Sequence, residues 1–296
     1  MKTGSAWLFA ASLALSSLAH AEIVVRDDSG RDVRLKAPAK RIVTLAPHLA
    51  ESLYAAGSGA ALVGTVDYSD YPPEARKVAR VGGYSRLDLE AIAALKPDLV
   101  IAWQSGNNAP QIEKLRGLGL TVFISQPNKM EDVADQVERM GRLAGSEATA
   151  NGVASQFRKR LEALRAANAN KPKVRVFYQI WKSPLTTVGR PQIISDAIRL
   201  CSGENVFGQL EQMAPTVTVE AVLEADPEAI VATGMGDARP DWLGDWDKWT
   251  RMTAVKRGNL FHINPDIMQR HTPRILDGAE KLCAHLDVAR SRRPAK

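Results

Sequence analysis

Two segments of this chain repeat each other, and the repeat limits the folds that the chain can adopt. Residues 89–102, LEAIAALKPDLVIA, can be laid over residues 219–232, VEAVLEADPEAIVA, without a gap. Each copy predicts a short helix, then Pro-Asp or Pro-Glu, then a strand of consecutive apolar residues. Continuous apolar strands between helices are typical of parallel sheets that are covered on both faces. The repeat therefore predicts an α/β protein with two similar lobes, each built on a mostly parallel sheet.

Further apolar runs fit the same alternation of strands and helices, which is typical of βαβ units. They are residues 41–45, 62–65 and 120–124 around the first copy, and residues 174–178 and 259–263 around the second. Residues 22–35 alternate between apolar and polar instead, which predicts a short antiparallel hairpin with its turn at residues 28–30.

The segment between the two halves predicts one long helix. Residues 146–170 are rich in Ala, Leu, Arg, Lys and Glu and contain no Pro, a composition that favours helix. Ser146 is a candidate N-cap, and Pro172 lies beyond the end. We therefore expect a lobe at residues 22–145, a connecting helix at 146–170 and a second lobe at 171–296. Because a helix is a stiff connection, ligand-driven movement of the lobes should be small.

The first 21 residues have the pattern of a secretory signal peptide. Lys2 provides a positive start, residues 6–18 form an apolar run, and Ala19-His20-Ala21 is an A-x-A cleavage site. The run is too short to span a bilayer as a helix, although a buried N-terminal helix is an alternative. No Cys follows it, so no lipid anchor is expected. The mature protein should begin at Glu22 and lie, soluble, in the periplasm.

Cysteine usage and charge narrow the protein's class further. Cys201 and Cys283 both lie in the mature chain, and an even count in an oxidising compartment predicts a disulfide. Closing a loop of about 80 residues would contribute roughly 4–5 kcal/mol; two free buried thiols are the alternative. The formal net charge is +6, but the basic residues are dispersed and form no nucleic-acid-binding motif. No nucleic-acid partner is expected.

The motifs that usually mark an enzyme of this size are missing from the sequence. It has no P-loop, no complete dinucleotide fingerprint and no H-E-x-x-H. Gly83-Tyr84-Ser85 begins like a nucleophile elbow, yet Leu87 stands where the closing Gly belongs. The histidines of the mature chain show no metal-ligand spacing; they are His48, His262, His271 and His285. We expect no enzyme, no resident metal and no cofactor, with a secreted α/β enzyme as the remote alternative.

Aromatic residues cluster instead where the predicted strands end. Tyr68 and Tyr71 follow the second strand, Tyr84 lies in a Gly-Gly-Tyr loop, and Trp103 ends the strand of the first repeat. Ligands of open α/β sheets bind at the carboxyl ends of the strands, so these rings could cover a flat ligand or pack between the lobes. A second set, Trp242, Trp246 and Trp249, has helical spacing and predicts a helix face or local core.

Several segments resemble one family, the helix-linked periplasmic binding proteins for cobalamin, haem and ferric siderophores. They are residues 67–75 (DYSDYPPEA), 94–103 (ALKPDLVIAW), 200–207 (LCSGENVF) and 265–276 (PDIMQRHTPRIL). The likeness extends from about Arg41 to Leu286. The Lys-Pro-Asp and Pro-Arg segments are common to the class, whereas residues 68–73 and the terminal Trp103 point to the cobalamin binders.

The resemblance implies a set of functional residues. Tyr68 and Trp103 would line or stack on the corrin, and residues 266–270 would meet its amide-rich rim. The ligand-binding residues implied are Tyr68, Tyr84, Trp103, Trp181, Asp266, Ile267, Met268, Gln269 and Arg270. Cys201 and Cys283 match the family's disulfide. Glu90 and Glu220, which the repeat also pairs, match carboxylates that dock on arginines of the membrane permease dimer; two solvated helix-start glutamates are the alternative.

The family resemblance therefore predicts capture of cobalamin between two lobes, by a monomer, for delivery to an ABC importer. Three departures from the cobalamin binders leave other ligands open. Tyr84 and Ala214 stand where the close cobalamin binder has Trp, and Ile180 stands where it has Phe, although Trp181 is adjacent. Haem binders carry an iron-ligating Tyr in a context like Gly83-Tyr84-Ser85-Arg86, so a haem ligand would use Tyr84 or His271. A ferric siderophore is the third possibility.

Overall fold

A computed structural model describes residues 22–234, 236 and 238–294. The predicted signal peptide, residues 1–21, lies outside the described residues. Ten α-helices and thirteen strands are formed within them. The helices are α1 Pro47–Ala55, α2 Leu89–Ala94, α3 Ala109–Gly117, α4 Met130–Ala144, α5 Glu147–Asn168, α6 Ile193–Leu200, α7 Val219–Ala225, α8 Thr253–Lys256, α9 Pro265–Met268 and α10 Ile275–Ser291. The strands are β1 Ile23–Arg26, β2 Asp32–Leu35, β3 Ile42–Thr44, β4 Leu62–Thr65, β5 Ala79–Arg80, β6 Gly82–Gly83, β7 Arg86–Leu87, β8 Leu99–Trp103, β9 Val122–Ser125, β10 Val174–Gln179, β11 Gly203–Asn205, β12 Ala229–Ala232 and β13 Leu260–His262.

Each half of the chain builds its own parallel sheet, as the repeat predicted. The first sheet has the order β5-β4-β3-β8-β9 and the second has the order β11-β10-β12-β13. All pairings within these two sheets are parallel. The strands of the repeat are central because their residues are apolar on both faces and buried on both. The two-lobed α/β fold is confirmed. The sequence analysis missed the edge strands β5 and β11, which have few apolar residues.

The two copies of the repeat agree in backbone detail. Asp88 and Thr218, at equivalent positions, each accept a hydrogen bond from the backbone N–H three residues on, and so cap helices α2 and α7. After each helix the residue before the proline, Lys96 or Asp226, has a positive φ, a conformation uncommon for residues other than Gly. Matching caps and matching left-handed turns fix the same helix-to-strand geometry in both lobes.

Helix α5 joins the lobes, and it packs in the cores of both. Ala150 in its first turn packs in the core of the first lobe, whereas Phe157 and Leu161 pack in the core of the second. Helix α4 also contributes to both cores, with Met130 in the second and Met140 in the first. The junction is therefore a pair of packed helices, more than the single helix expected from the sequence.

A glycine in the last turn of α4 sets how closely α4 and α5 approach, and a serine fixes the turn between them. A Cβ added at Gly141 would lie 2.2 Å from the Cβ of Ala150, so only glycine allows this approach. Ser146 occupies the N-cap position of α5, as predicted, but it makes no capping hydrogen bond. Its hydroxyl donates to the carbonyl of Ala56 at 2.6 Å instead, which ties the turn to the first lobe.

Two further predictions are confirmed. Strands β1 and β2 pair in an antiparallel hairpin. Cys201 and Cys283 form a disulfide that ties the C-terminal end of α6 to α10.

Trp246 is buried in the core of the second lobe, with Trp242 and Trp249 packed against that core. The tryptophans are thus local core: Trp242 and Trp246 lie within a 3₁₀ helix, Asp241–Trp246, and Trp249 lies just beyond it.

Candidate functional site

Exposed aromatic rings lie on both lobes where the parallel strands end. In the first lobe, Tyr68 follows β4 and Tyr84 lies in the hairpin of β6 and β7; their exposed fractions are 75% and 45%. In the second lobe, Trp181 follows β10 and is 41% exposed. Each such ring can bury about 150–250 Å² of surface against a ligand. These rings can present flat apolar faces to a ligand.

Trp103, the last residue of β8, is half-buried and held on several sides. Its ring centroid lies 6.2 Å from that of Tyr84. Asn107 accepts a hydrogen bond from the Trp103 backbone N–H at 2.6 Å and donates to the carbonyl of Tyr84 at 2.7 Å. A Cβ at Gly106 would lie 1.9 Å from the indole, so glycine is required there. Trp103 and Tyr84, predicted together as ligand-binding residues, are thus brought together by one asparagine.

Two histidines pack behind Trp103, one from each lobe. His48 of α1 meets the indole edge-on, at 5.0 Å between ring centroids, and His271 of the second lobe lies 5.3 Å from His48. Both are almost fully buried. His48 Nε2, His271 Nδ1 and Trp103 Nε1 have no hydrogen-bond partner among the described residues. The cluster therefore forms a tightly packed contact between the lobes.

Burial keeps both imidazoles neutral. It lowers the pKa of His271 to about 4. Burial, followed by the proximity of His271 and of Arg270, lowers the pKa of His48 well below its usual range. His271 is only 2% exposed, so it would have to leave the interface before it could reach an iron in the cleft. Of the two candidate haem ligands, Tyr84 is the one that is exposed.

A buried carboxylate holds the lobes together beside this cluster, and the sequence analysis did not find it. Glu51 of α1 is 3% exposed and accepts two hydrogen bonds of 2.6 Å from Arg274 of the second lobe. Thr272 donates a third, also at 2.6 Å. The guanidinium of Arg274 also lies 3.6 Å from the ring centroid of Tyr71. The sequence signal for this contact was the Pro-Arg segment that contains Arg274. That segment points to the class of binding proteins, but it does not show which carboxylate the arginine binds.

The predicted second-lobe loop, residues 266–270, divides into buried and polar members. Met268 is fully buried and Ile267 packs against the core. The other three offer polar groups: Asp266 and Arg270 form an ion pair at 2.9 Å, and Gln269 donates to the hydroxyl of Thr233. Met268 and Ile267 thus anchor the loop, and its other three side chains are polar.

Arg270 also reaches across to the first lobe. Its Nη1 lies 2.8 Å from Asp70 Oδ1, and its Nη2 donates to the carbonyl of Tyr68 at 3.4 Å. The arginine is 13% exposed in its side chain, so it is held between the lobes rather than free in solvent. The structure thus joins Tyr68 and Arg270, which the sequence analysis named as separate ligand contacts.

Glu90 and Glu220 are both exposed. Each is the second residue of its helix, α2 or α7, and each lies in a different lobe. Neither has an ion-pair partner among the described residues. The two carboxylates are therefore accessible at equivalent positions of the repeat.

Residues 22–234, 236 and 238–294 contain no group of three or more His, Cys, Asp or Glu side chains placed to hold a metal ion. They also contain no helix with the length and apolar character that a membrane span requires.

Comparison with known proteins agrees with this geometry. A family model described as "Periplasmic binding protein" matches residues 42–267. The chain is 36% identical over 252 residues to the vitamin B12-binding protein of Vibrio cholerae serotype O1, covering 85% of this chain and 91% of that protein. It is 33% identical over 248 residues to the vitamin B12-binding protein of Yersinia pestis, covering 84% and 86%.

Solved structures show the same similarity. The crystal structure of the periplasmic vitamin B12 binding protein BtuF of Vibrio cholerae matches with a TM-score of 0.79 at 36% identity, over 86% of this chain and 98% of that chain. The periplasmic haem-binding protein RhuT from Roseiflexus sp. RS-1 matches with a TM-score of 0.73 at 20% identity, over 85% and 99%. At that lower identity, the second match shows a shared fold alone.

Proposed function

The chain belongs to the periplasmic binding protein family, and we propose that within this family it captures a corrinoid, cobalamin, between its two lobes. It then delivers the ligand to an ABC importer. The signal peptide is removed before Glu22, and the mature protein works as a monomer in the periplasm. It performs no chemistry on the ligand and needs no cofactor of its own.

The observation that carries the ligand assignment is that exposed aromatic rings stand on both lobes, with the polar loop of residues 266–270 in the second. Cobalamin brings its cobalt already held by the corrin, so a protein needs surfaces for the ring and hydrogen bonds for the peripheral amides. Tyr68, Trp103 and Trp181 supply surfaces, and Asp266 and Gln269 supply polar groups. The similarity to vitamin B12-binding proteins over most of the chain supports the same ligand.

Haem is the second candidate, and the observation that favours it is the exposed Tyr84. Its ring is 45% exposed beside Trp103, where its hydroxyl could ligate an iron. His271, the other candidate ligand, is buried at the lobe interface. A haem-binding protein of this sequence would therefore depend on the Tyr84 hydroxyl as its iron ligand. Corrinoid binding would need only the aromatic ring of Tyr84.

The Tyr84→Phe variant separates the two ligands, because it keeps the ring and removes the hydroxyl. We expect wild type and Tyr84→Phe to bind cyanocobalamin with affinities within about fivefold, since losing one neutral hydrogen bond costs about 1 kcal/mol. Hemin should give only a weak change in its absorption spectrum with either protein. A tyrosinate-ligated hemin spectrum in wild type that is lost in Tyr84→Phe, without corrinoid binding, would replace cobalamin by haem.

Delivery to the importer is assigned to Glu90 and Glu220. Both are accessible carboxylates on equivalent helices, so the two lobes can offer one acid each to a permease with two equivalent basic sites. The permease is thus expected to be a dimer.

A further inference from the structure

The segment that carries Tyr68, residues 67–71, is here called the tyrosine loop, and three arginines hold it. Arg270 donates to the carbonyl of Tyr68 at 3.4 Å, Arg80 to that of Ser69 at 2.9 Å, and Arg76 to that of Asp70 at 3.2 Å. Three consecutive carbonyl groups are therefore each bound by a different guanidinium. Arg76 and Arg80 belong to the same lobe as the loop, whereas Arg270 comes from the other lobe.

The loop needs this support because its backbone is strained. Tyr68 has a φ of +63°, in the left-handed region that a bulky side chain seldom adopts. Such a conformation costs of the order of 1–3 kcal/mol and persists only where surrounding contacts hold it. The strained residue is also the most exposed aromatic side chain of the site, at 75%. Its ring direction is therefore set by backbone contacts, not by packing of the side chain.

Asp70 brings the second-lobe arginine to the loop. Its Oδ1 lies 2.8 Å from Arg270 Nη1, while Asp266, in the arginine's own lobe, takes Nη2 at 2.9 Å. A planar guanidinium held by two carboxylates has a fixed orientation. A third carboxylate, Glu51 of the first lobe, lies 3.9 Å from Arg270 Nη1 but is already paired with Arg274. Asp70 is the only one of the three that lies in the tyrosine loop, so it determines whether Arg270 is tied to that loop.

We propose that Asp70 is a positioning residue: through Arg270 it fixes the tyrosine loop to the second lobe and so presents the Tyr68 ring to the ligand. The effect on ligand binding rests on the proposed function, because there the Tyr68 ring is a ligand-binding surface. In the free protein Arg270 is then the link that Asp70 uses to hold the loop, in addition to any contact that Arg270 makes with the ligand.

The first arm of the test needs no ligand. Hydrogen exchange of residues 66–72 is compared in wild type, Asp70→Asn, Asp70→Glu and Asp67→Asn. Asp70→Asn should speed exchange of this segment by about fivefold or more, and Asp70→Glu should restore it because its longer carboxylate can still reach Arg270. Asp67→Asn is the matched control, since it removes a charge from the same loop without a bond to Arg270. Unchanged exchange in Asp70→Asn would overturn the proposal.

The second arm uses cyanocobalamin as the probe and asks whether Asp70 acts through Tyr68. Asp70→Asn should weaken binding by about tenfold in the wild-type background, but by less than about twofold in Tyr68→Ala, because the ring it positions is then missing. An equal loss in both backgrounds would contradict a positioning role. Asp70 has 45% of its side chain exposed, and thermal melting will show that the variants fold.

The two arms also separate this inference from the proposed function. If wild type does not bind cyanocobalamin, the corrinoid assignment is wrong, and the exchange arm still decides whether Asp70 holds the loop. If wild type binds and exchange in Asp70→Asn is unchanged, the corrinoid assignment stands and the positioning role is wrong.

Discussion

Individual residues at the lobe interface decide how the free protein responds to acid. His48 and His271 pack against each other in contact with Trp103, with Arg270 close to His48. A proton on either ring would be buried without a carboxylate partner of its own, because Glu51 is already bound by Arg274 and Thr272. The pair is therefore stable only while both rings are neutral.

This arrangement predicts a loss of stability in mild acid. The unfolded chain takes up a proton on His271 near its ordinary pKa of 6.5, whereas the folded protein does so only near 4. Between these values the unfolded state binds more protons, so the free energy of unfolding falls as pH drops. His271 alone accounts for roughly 3 kcal/mol across this window, and His48 adds to it.

Thermal melting between pH 7.5 and 4, in wild type and in a His48→Gln, His271→Gln variant, measures this effect. The decline in melting temperature should be smaller in the variant, since glutamine does not titrate. His285, whose pKa burial also lowers, is present in both proteins and cancels in the comparison. An equally steep decline in both would show that the interface histidines do not titrate as described.

Among the secondary-structure elements, the sequence predicted those that belong to the repeat and those with a clear apolar pattern. The apolar strands of the repeat, the hairpin of β1 and β2 and the long helix α5 follow from periodicity and burial alone. The edge strand β11, Gly203–Asn205, was missed because it is polar and is defined by its pairing with β10. The role of α4 in both cores was missed because periodicity shows an apolar face but not which core that face contacts.

The candidate site also contains features that the sequence predicts and features that it does not. The positions of Tyr68 and Trp103 could be predicted because they lie at the carboxyl ends of apolar strands, and that of Tyr84 because it lies in a Gly-Gly-Tyr loop. The partners of Arg270 and Arg274 could not, since Asp70 and Glu51 lie some 200 positions earlier in the chain. Nothing local marks an ion pair between lobes. The burial of His271 was likewise invisible, because a histidine beside two arginines has the same sequence pattern at a surface.

The equivalent helices α2 and α7 predict a transport defect without a binding defect. Replacing Glu90 or Glu220 by Ala should reduce cobalamin uptake in cells by about tenfold or more, because losing one partner of an interfacial charge pair costs roughly 2 kcal/mol. Affinity of the purified protein for cyanocobalamin should stay within about twofold. Glu147→Ala is the matched control, since Glu147 is also an exposed first-turn glutamate. Lower ligand affinity in either docking variant would contradict the assigned role.

For the whole molecule, the junction and the lobe interface act together to limit movement. Helices α4 and α5 each contribute to both cores, and Arg158 links them through Asp135 and Glu138. Glu51 and Arg274 then join the lobes directly. A large hinge motion would have to separate this buried pair. Leaving a buried charge without its partner costs several kcal/mol.

Small-angle scattering tests this rigidity. The radius of gyration should change by no more than about 1 Å between the free protein and the protein saturated with cyanocobalamin. In Glu51→Gln the free protein should be more expanded or more heterogeneous than wild type, because the arginine loses its charged partner. A decrease of several ångströms on ligand binding in wild type would mean that the lobes close by a hinge.

The central claim, one corrinoid held between aromatic faces, is tested most directly by calorimetric titration of cyanocobalamin into wild type and Tyr68→Ala. We predict one ligand per chain in wild type, with a dissociation constant in the micromolar range or tighter. Binding to Tyr68→Ala should be weaker by about tenfold or more, as for an aromatic hot spot, with an unchanged melting temperature because Tyr68 is 75% exposed. An absence of binding to wild type, or equal affinities in the two proteins, would contradict the account.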